Sequence, residues 1–283
     1  MEPLGVSRVW PHLPRPTESS LVAGALKKRR PVIVAGPAGI GKTSLTRAVV
    51  ASSDRPIEWL VGSASTRQTP LAALSTLMPV DGAGDVMRIV TNLSERLIDR
   101  RAVLAVEDAG LLDAASAMVV AQLIQSDIHD GVIVMSRSPE LDGAEPALTS
   151  ALSAARAMVV QPTAFSHDDL ATIIGQYLGA PMDYADVMRL HSASGGNPLY
   201  ARHLVAGSVS AGAVHRWEDG TISIAEGFAV SRELEAVVGS AIDAAGPQAI
   251  GLLEFLSLLT PLPVSAVADL GFSDVIDDSP DIW

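Results

Sequence analysis

One run of residues, Gly36 to Thr43, has the residue types and spacing for phosphate chemistry; it reads Gly-Pro-Ala-Gly-Ile-Gly-Lys-Thr. The run matches the phosphate-binding pattern G-x-x-x-x-G-K-[ST] in full. In this pattern backbone N–H groups surround the phosphates, the lysine reaches the β- and γ-phosphates, and the hydroxyl ligates Mg²⁺. The sequence therefore predicts a nucleotide site with these binding residues: Gly36, Pro37, Ala38, Gly39, Ile40, Gly41, Lys42, Thr43 and Ser44.

The segments on either side of this loop support the prediction. A short β-branched run, residues 32–35, precedes the loop, and residues 43–51 continue with a helical spacing. A strand that leads through a glycine-rich turn into a helix N-terminus binds anions, because free N–H groups and the positive end of the helix dipole point at them. We expect a nucleoside triphosphate or diphosphate here, and a chance glycine-rich turn is the alternative.

Glu107 and Asp108 follow an apolar strand, residues 102–106, and form the second element of the predicted site. Acidic side chains at the carboxyl end of a strand beside a phosphate loop suit a Mg²⁺ partner and a water-activating group. We assign Glu107 to Mg²⁺ through water, together with Thr43, and Asp108 to orienting the attacking water. With Lys42 these two carboxylates form the predicted catalytic set. The alternative is a strand cap that faces solvent.

Ser136 and Arg137 end another apolar strand, residues 132–135, and form the third element. In a sheet of this kind the tip of the adjacent strand can distinguish triphosphate from diphosphate by a hydrogen bond or a charge. Either residue would serve, and a guanidinium is the stronger phosphate partner. A loop arginine that makes a surface salt bridge is an equally good interpretation of Arg137.

The fourth element is the segment 194–198, Ser-Gly-Gly-Asn-Pro, between two predicted helices. A glycine that ends one helix and a proline that starts the next explain the segment structurally. The same rigid turn could also press on an adenine ring, and the two interpretations are compatible.

Apolar runs alternate with helical patterns from residue 32 to residue 160, which is typical of a parallel sheet with crossover helices. The predicted fold class is α/β: a P-loop NTPase with a parallel five-stranded sheet, followed by a helical lid and a further helical region at residues 231–270. The predicted strands are 32–35, 57–62, 102–106, 132–135 and 157–160, with helices at 43–51, 70–77, 85–99 and 114–128. A capping box at 166–169, helices at 183–192 and 198–207, and a hairpin within 214–224 follow. The predicted domains are 1–162, 163–230 and 231–283.

Composition limits the functions that the chain can have. Its 283 residues are 48% apolar and include no cysteine, which excludes disulfides and thiolate zinc sites. Residues 1–50 carry a net charge of +6, whereas the whole chain carries −12, so the remainder is strongly acidic. An acidic body is unsuited to the nucleic-acid backbone, so we expect no direct nucleic-acid contact. Without an apolar span or a signal pattern, we expect a cytoplasmic protein.

Several segments, in order, resemble the ATPase region of the large LuxR-family transcription regulators of the STAND class. The matching segments are Arg15-Pro-Thr-Glu18, the phosphate loop, 61–67 with 70–79, 104–113, Ser136-Arg137, 195–199 and 252–259. The resemblance implies an ATP-controlled switch that holds ADP at rest and is bound to ATP, and often oligomeric, after induction. It also implies that Arg15 and Glu18 lie on the adenine side, that Pro198 is the contact of the lid with the base, and that a winged-helix region opens after Ser231.

The chain also departs from the pattern of these regulators. Pro14 replaces the usual Gly, and Glu107 stands where Asp is more usual, so slow or absent hydrolysis is expected. Regulators of this class continue into a sensor-repeat region and a helix-turn-helix, whereas the sequence stops at Trp283. We therefore expect a fragment or a stand-alone module, and DNA binding is not carried over.

Three functions follow from these motifs. The first is a regulatory module that binds ATP or ADP with Mg²⁺ and whose nucleotide state controls self-association or binding of a protein partner. The second is a turnover ATPase of the AAA+ kind that remodels a protein or DNA partner with an arginine supplied in trans, for which Arg137 and Arg156 are the candidates. The third is a P-loop kinase, which would need an acceptor site and catalytic arginines in the lid.

Overall fold

A computed structural model describes residues 7, 9–79, 86–126, 131–225, 227–236, 239 and 250–254. Its helices are α1 Pro16–Lys27, α2 Lys42–Ala51, α3 Val86–Arg100, α4 Ala114–Gln125, α5 Pro146–Ala154, α6 His167–Leu178, α7 Tyr184–Ser194 and α8 Pro198–Ser210. Its strands are β1 Val32–Ala35, β2 Ile57–Val61, β3 Val103–Glu107, β4 Val132–Ser136, β5 Met158–Val160, β6 Val214–Arg216 and β7 Ile222–Ile224. No helix within the described ranges is long and apolar enough to cross a membrane.

Strands β1 to β5 form one parallel sheet in the order β2-β3-β4-β1-β5, which confirms the predicted five-stranded parallel fold class. Strands β1, β3 and β4 are buried on both faces apart from the half-buried Glu107, because helices cover the sheet on each side. Since β3, β4 and β1 are neighbours, the residues that follow them emerge at the same edge. The phosphate loop, Glu107 with Asp108, and Ser136 with Arg137 therefore meet there.

Two apolar layers hold the sheet in place. On one face, side chains such as Leu104, Val106 and Val134 pack against α3, α4 and α5. On the other face, Val103 and Ile133 pack with residues of α1 and α2. The alternation of neighbouring strand residues between the two layers follows from the period of two in a strand. The helices on the two faces thereby fix the positions of the strand ends.

The prediction of a helix at residues 70–77 was wrong. This segment forms turns with one 3₁₀ turn at Leu74–Thr76, and Leu71 has a left-handed φ of 63°. The buried carboxylate of Asp113 accepts hydrogen bonds from the N–H groups of Leu71 at 2.8 Å and Ala73 at 3.3 Å. Because the acceptor for these amides lies in a distant segment, they do not bond within a helix.

The prediction also missed two helices, α1 and α5. Both begin with a proline in the first turn, Pro16 and Pro146, which is a favourable helix start. Neither helix has a strong amphipathic pattern, because α1 begins among polar residues and α5 is rich in alanine.

Helices α6 to α8 and the β6–β7 hairpin pack together around their own apolar cluster, and we refer to them as the helical region. The predicted capping box is confirmed: Ser166 accepts from the N–H of Asp169, whose carboxylate in turn accepts from the N–H of Ser166. The antiparallel hairpin is confirmed as well, and Gly220 in its turn has a φ of 87°. The domain limits at 162 and 230 stay predictions, and most of the predicted winged-helix-like region lies outside the described residues.

Candidate functional site

The phosphate loop connects β1 to α2 with its glycines in the conformations that the motif requires. Gly39 and Gly41 have φ values of +79° and +105°, which residues with a side chain rarely adopt. Helix α2 begins at Lys42, and Gly41 at its N-cap provides no side-chain acceptor. The first N–H groups of α2 are therefore not capped by a side chain, and such groups bind phosphate oxygens. The loop fits the phosphates of a nucleotide.

The side chain of Lys42 folds back over the loop. Its Nζ donates to the carbonyl oxygens of Gly36 at 2.6 Å and Pro37 at 3.0 Å. An ammonium group has three donors, so these carbonyls fix its position and leave one donor for a phosphate. Burial lowers the pKa of Lys42; the charge of Asp108 opposes this effect, and that of Arg137 adds to it.

Thr43 and Glu107 are in direct contact. The Thr43 hydroxyl donates a hydrogen bond to Oε1 of Glu107 at the tip of β3. A hydroxyl and one carboxylate at a phosphate loop are the protein ligands that Mg²⁺ uses, with phosphate oxygens and water completing its shell. The described residues contain no cluster of three or more His, Cys, Asp or Glu side chains, so a metal here would depend on those phosphate oxygens. The pair fits Mg²⁺, and the longer glutamate reaches the hydroxyl.

Asp108 has a left-handed backbone, with φ at 50° and ψ at 55°. The residue that follows β2, Gly62, lies against this part of the chain, and its N–H donates to the carbonyl of Glu107 at 2.9 Å. A Cβ at Gly62 would lie 2.4 Å from the Asp108 carbonyl oxygen. Gly62 is therefore the residue that lets these two strand ends approach, and sequence reasoning missed it.

Ser136 and Arg137 lie at the tip of β4, beside the loop. The carbonyl of Ser136 accepts from the N–H of Gly36 at 3.1 Å, and its Oγ accepts from the N–H of Ser138 at 3.3 Å. The Ser136 side chain, 4% exposed, therefore holds a local turn. Arg137 lines the cleft beside the loop, and its charge contributes to lowering the pKa of Lys42.

A cleft of about 890 Å³ opens between the sheet edge and the helical region. This volume is within the usual range of about 300–1,000 Å³ for ligand sites. Its lining includes Pro37 and Ala38 of the loop, the strand-tip residues Asp108, Ser136 and Arg137, and Asn197 and Tyr200 of the helical region. The predicted catalytic and γ-phosphate residues Asp108, Ser136 and Arg137 therefore face one cavity.

A second, smaller pocket of about 70 Å³ also borders the loop. Its lining includes Arg15, Gly41, Ser44, Phe165 and Pro198. Arg15 donates to the carbonyls of Thr163 at 2.7 Å and Ile40 at 3.0 Å, and its guanidinium lies 4.6 Å from the centre of the Phe165 ring. Arg15 and Pro198, which the resemblance places around the adenine, thus share this pocket, although it is smaller than a ligand site. Glu18, the third residue that the resemblance places there, does not line the pocket and forms an ion pair with Arg15 at 3.5 Å.

Asn197 is a residue of the site that sequence reasoning treated only as part of a turn. Its Nδ2 donates to the carbonyl of Ala38 in the phosphate loop at 2.9 Å. Its Oδ1 accepts from the N–H of Leu199 at 3.0 Å and thereby caps α8. Pro198 indicated the start of α8, but the cap by Asn197 was not predicted, and its contact with the loop depends on packing that spacing does not reveal.

Comparisons with protein-family models and with curated protein sequences found no match. Solved structures with similar folds include a RuvB point mutant from Thermotoga maritima, Cdc6p from Pyrobaculum aerophilum, and Orc1 from Aeropyrum pernix in complex with DNA. Their TM-scores are 0.50, 0.51 and 0.52, at 19%, 16% and 18% identity, and they cover 69%, 74% and 90% of this chain.

The same alignments cover 61%, 64% and 74% of the RuvB, Cdc6p and Orc1 chains, so this chain spans about three-fifths of the RuvB structure that it matches. Identities this low compare folds and not activities. What the chain shares with these structures is its fold, the α/β arrangement around a parallel five-stranded sheet described above.

Proposed function

We propose that the chain is a regulatory module that binds ATP and ADP with Mg²⁺, and that its nucleotide state controls self-association or binding of a protein partner. The observation that carries the proposal is the convergence of Lys42, Thr43 and Glu107 at the uncapped start of α2. The AAA+ fold supports nucleotide binding at this place. We expect this module to be part of a cytoplasmic protein that acts in signalling or in the regulation of transcription.

Each polar group at the sheet edge would have one role. The loop N–H groups and Lys42 bind the phosphates, while Thr43 and Glu107 hold Mg²⁺, Glu107 through water. The metal, when bound, neutralises charge on the phosphate oxygens. Asp108 orients the attacking water, and Arg137 or Ser136 contacts the γ-phosphate. Because the Ser136 hydroxyl already accepts the Ser138 N–H, Arg137 is the better phosphate partner of the two.

A switch needs a connection between the nucleotide and the rest of the protein. Arg15 provides one, because it joins the phosphate loop at Ile40 to the start of the helical region at Thr163 and Phe165. Asn197 provides another at Ala38. A conformational change in the phosphate loop would therefore alter the contacts that hold the helical region. This connection supports a regulatory role.

The alternative is a turnover ATPase that remodels a protein or DNA partner. The fold that the chain shares with RuvB and with a DNA-bound Orc1 structure favours it. The net charge of the chain, −12, argues against a DNA partner, since DNA-binding surfaces carry an excess of Lys and Arg.

Calorimetry with ADP and a non-hydrolysable ATP analogue, both with Mg²⁺, tests the proposal on the wild type and Lys42→Ala. Lys28→Ala is the matched control, because Lys28 is exposed and precedes β1. Loss of a charged hydrogen bond to phosphate should weaken binding by about 10- to 100-fold in Lys42→Ala only. Size-exclusion chromatography with light scattering should find a monomer with ADP and a larger assembly with the ATP analogue.

The outcomes separate the candidate functions. Equal binding by the wild type and Lys42→Ala, or no binding by either, would refute the proposal. Rapid ATP turnover in a single assembly state would favour the remodelling ATPase instead.

A further inference from the structure

Asn197 joins the two parts of the site through opposite ends of one amide. Its Nδ2 reaches the carbonyl of Ala38 in the loop, and its Oδ1 holds the N–H of Leu199 in the first turn of α8. The partners fix the orientation of the amide, because a flipped group would place NH₂ against an N–H and oxygen against a carbonyl. At 7% exposure the side chain is nearly withdrawn from water, so both bonds matter.

Leu199 reinforces this contact. A Cβ at Gly39 would lie 2.5 Å from the Leu199 Cβ and 2.8 Å from Oδ1 of Asn197. The first turn of α8 therefore lies directly on the tip of the phosphate loop, with no room for a side chain between them.

This contact lies between the two cavities of the site. Asn197 lines the large cleft that contains Asp108 and Arg137, whereas Pro198 lines the small pocket with Arg15 and Gly41. The small pocket, at about 70 Å³, is below the usual size of a ligand site. A nucleoside can enter it only if its walls separate. Pro198 is one of these walls, and its neighbours Asn197 and Leu199 both contact the loop.

We propose that Asn197 is the latch that holds the helical region on the phosphate loop, and that nucleotide entry and exit break its bond to Ala38. The inference rests on the proposed function, since it assigns the regulation of nucleotide exchange to the same site. Asn197 is a positioning residue in this scheme: it sets the position of Pro198 and α8 relative to the loop.

Asn197→Ser separates the latch from the helix cap. Serine caps helices about as well as asparagine, but it lacks the amide that reaches Ala38. Asn197→Ala loses both interactions and serves as the comparison. Stopped-flow fluorescence with mant-ADP and Mg²⁺ measures nucleotide release, and urea unfolding tests whether the fold is intact.

We expect Asn197→Ser to release mant-ADP about 3- to 10-fold faster than the wild type, the factor that one hydrogen bond of ordinary strength represents. Association should accelerate as well, so the dissociation constant should change less than the release rate. The free energy of unfolding should stay close to that of the wild type. Release within twofold of the wild type, or acceleration in Asn197→Ala alone, would overturn the latch.

Hydrogen exchange on the nucleotide-free protein provides a second readout. The latch predicts faster exchange in Asn197→Ser at residues 195–200 and at residues 37–41 together, because the two segments hold each other. Unchanged exchange in either segment contradicts it. If the wild type binds no nucleotide, the proposed function fails, and this measurement still decides whether Asn197 holds the helical region on the loop.

Discussion

The Thr43 hydroxyl donates a hydrogen bond to the Glu107 carboxylate and so joins the first turn of α2 to the tip of β3. The two residues belong to separate elements, and the parallel pairing of the central strands brings them to the same edge of the sheet. A hydroxyl and a carboxylate in contact beside a phosphate loop are arranged for a cation that bridges protein and phosphate. The Mg²⁺ dependence of nucleotide binding should therefore arise from this pair.

Thr43→Val keeps the β-branched shape of the side chain and removes only the hydroxyl. We expect ADP binding in EDTA to match the wild type, because loop N–H groups and Lys42 still hold the phosphates. Adding Mg²⁺ should tighten binding in the wild type and change it little in Thr43→Val and in Glu107→Gln. Isothermal titration calorimetry with and without Mg²⁺ measures this difference.

Thr46→Val is the control, since Thr46 lies one turn further along α2 and its hydroxyl donates to the Met135 sulfur, at 3.6 Å. It should keep the full Mg²⁺ effect. A Mg²⁺ effect of wild-type size in Thr43→Val would remove Thr43 from the metal site.

Asp108→Asn should lower the rate of ATP hydrolysis and leave ADP affinity within about twofold of the wild type. An amide cannot take a proton from water, and a general base typically contributes about 10²- to 10⁴-fold to a rate. Single-turnover hydrolysis of radiolabelled ATP measures this rate even when it is slow. Asp142→Asn removes another carboxylate of the same cleft and should hydrolyse at the wild-type rate. Equal rates in Asp108→Asn and the wild type would leave Asp108 without a catalytic role.

The sequence was sufficient to predict the five strands and the residues at their tips. Apolar runs bounded by Gly36, Glu107 and Ser136 indicated buried parallel strands, and parallel strands bring their carboxyl ends to one edge. The motif at 36–43 is local in sequence, so its geometry follows from spacing alone. Contacts between distant segments could not be predicted in this way, because they depend on how the layers of helices and strands pack.

Asp113 and Asn197 are examples of such contacts. The periodicity of residues 70–77 predicted a helix, but hydrogen bonds to Asp113 outweigh that local tendency. Pro198 predicted a helix start, and α8 does begin there, yet nothing in the sequence pairs Asn197 with Ala38. In both cases a side chain bonds to the backbone of a remote segment.

Gly39→Ala should weaken nucleotide binding by 10-fold or more. A non-glycine residue at a φ of +79° is strained by about 1–2 kcal/mol, and the added methyl would also meet Leu199. Both effects displace the loop or α8. Gly212→Ala imposes similar backbone strain, at a φ of +68°, but its added Cβ would meet nothing within 4 Å. The Gly212 variant should lose stability but bind ADP normally. If both variants bind equally well, the close contact between loop and helix is not required for binding.

Asp113→Asn should destabilise the protein by about 1–3 kcal/mol, the cost of leaving one buried N–H without an acceptor. Oδ1 of Asp113 accepts from Leu71 and Ser116, and Oδ2 accepts from the N–H of Ala73 and the Ser116 hydroxyl. An asparagine amide keeps one oxygen and turns NH₂ toward the Ala73 N–H. Urea unfolding at pH 7 measures the loss. Asp183→Asn is the control, since this exposed N-cap accepts one N–H, from Ala185, and should change stability by less than about 0.5 kcal/mol.

The same substitution should reduce the acid sensitivity of the fold. Burial of Asp113 would raise the pKa of its carboxyl, but hydrogen bonds from Ser116, Leu71 and Ala73 outweigh burial and lower the pKa below the ordinary value of 3.8. A carboxylate whose pKa is lowered on folding adds stability above the unfolded pKa and loses it as the pH falls toward the folded pKa. The free-energy difference between the wild type and Asp113→Asn should therefore shrink from pH 7 to pH 3. A constant difference over this range would show that ionised Asp113 does not provide the stabilisation.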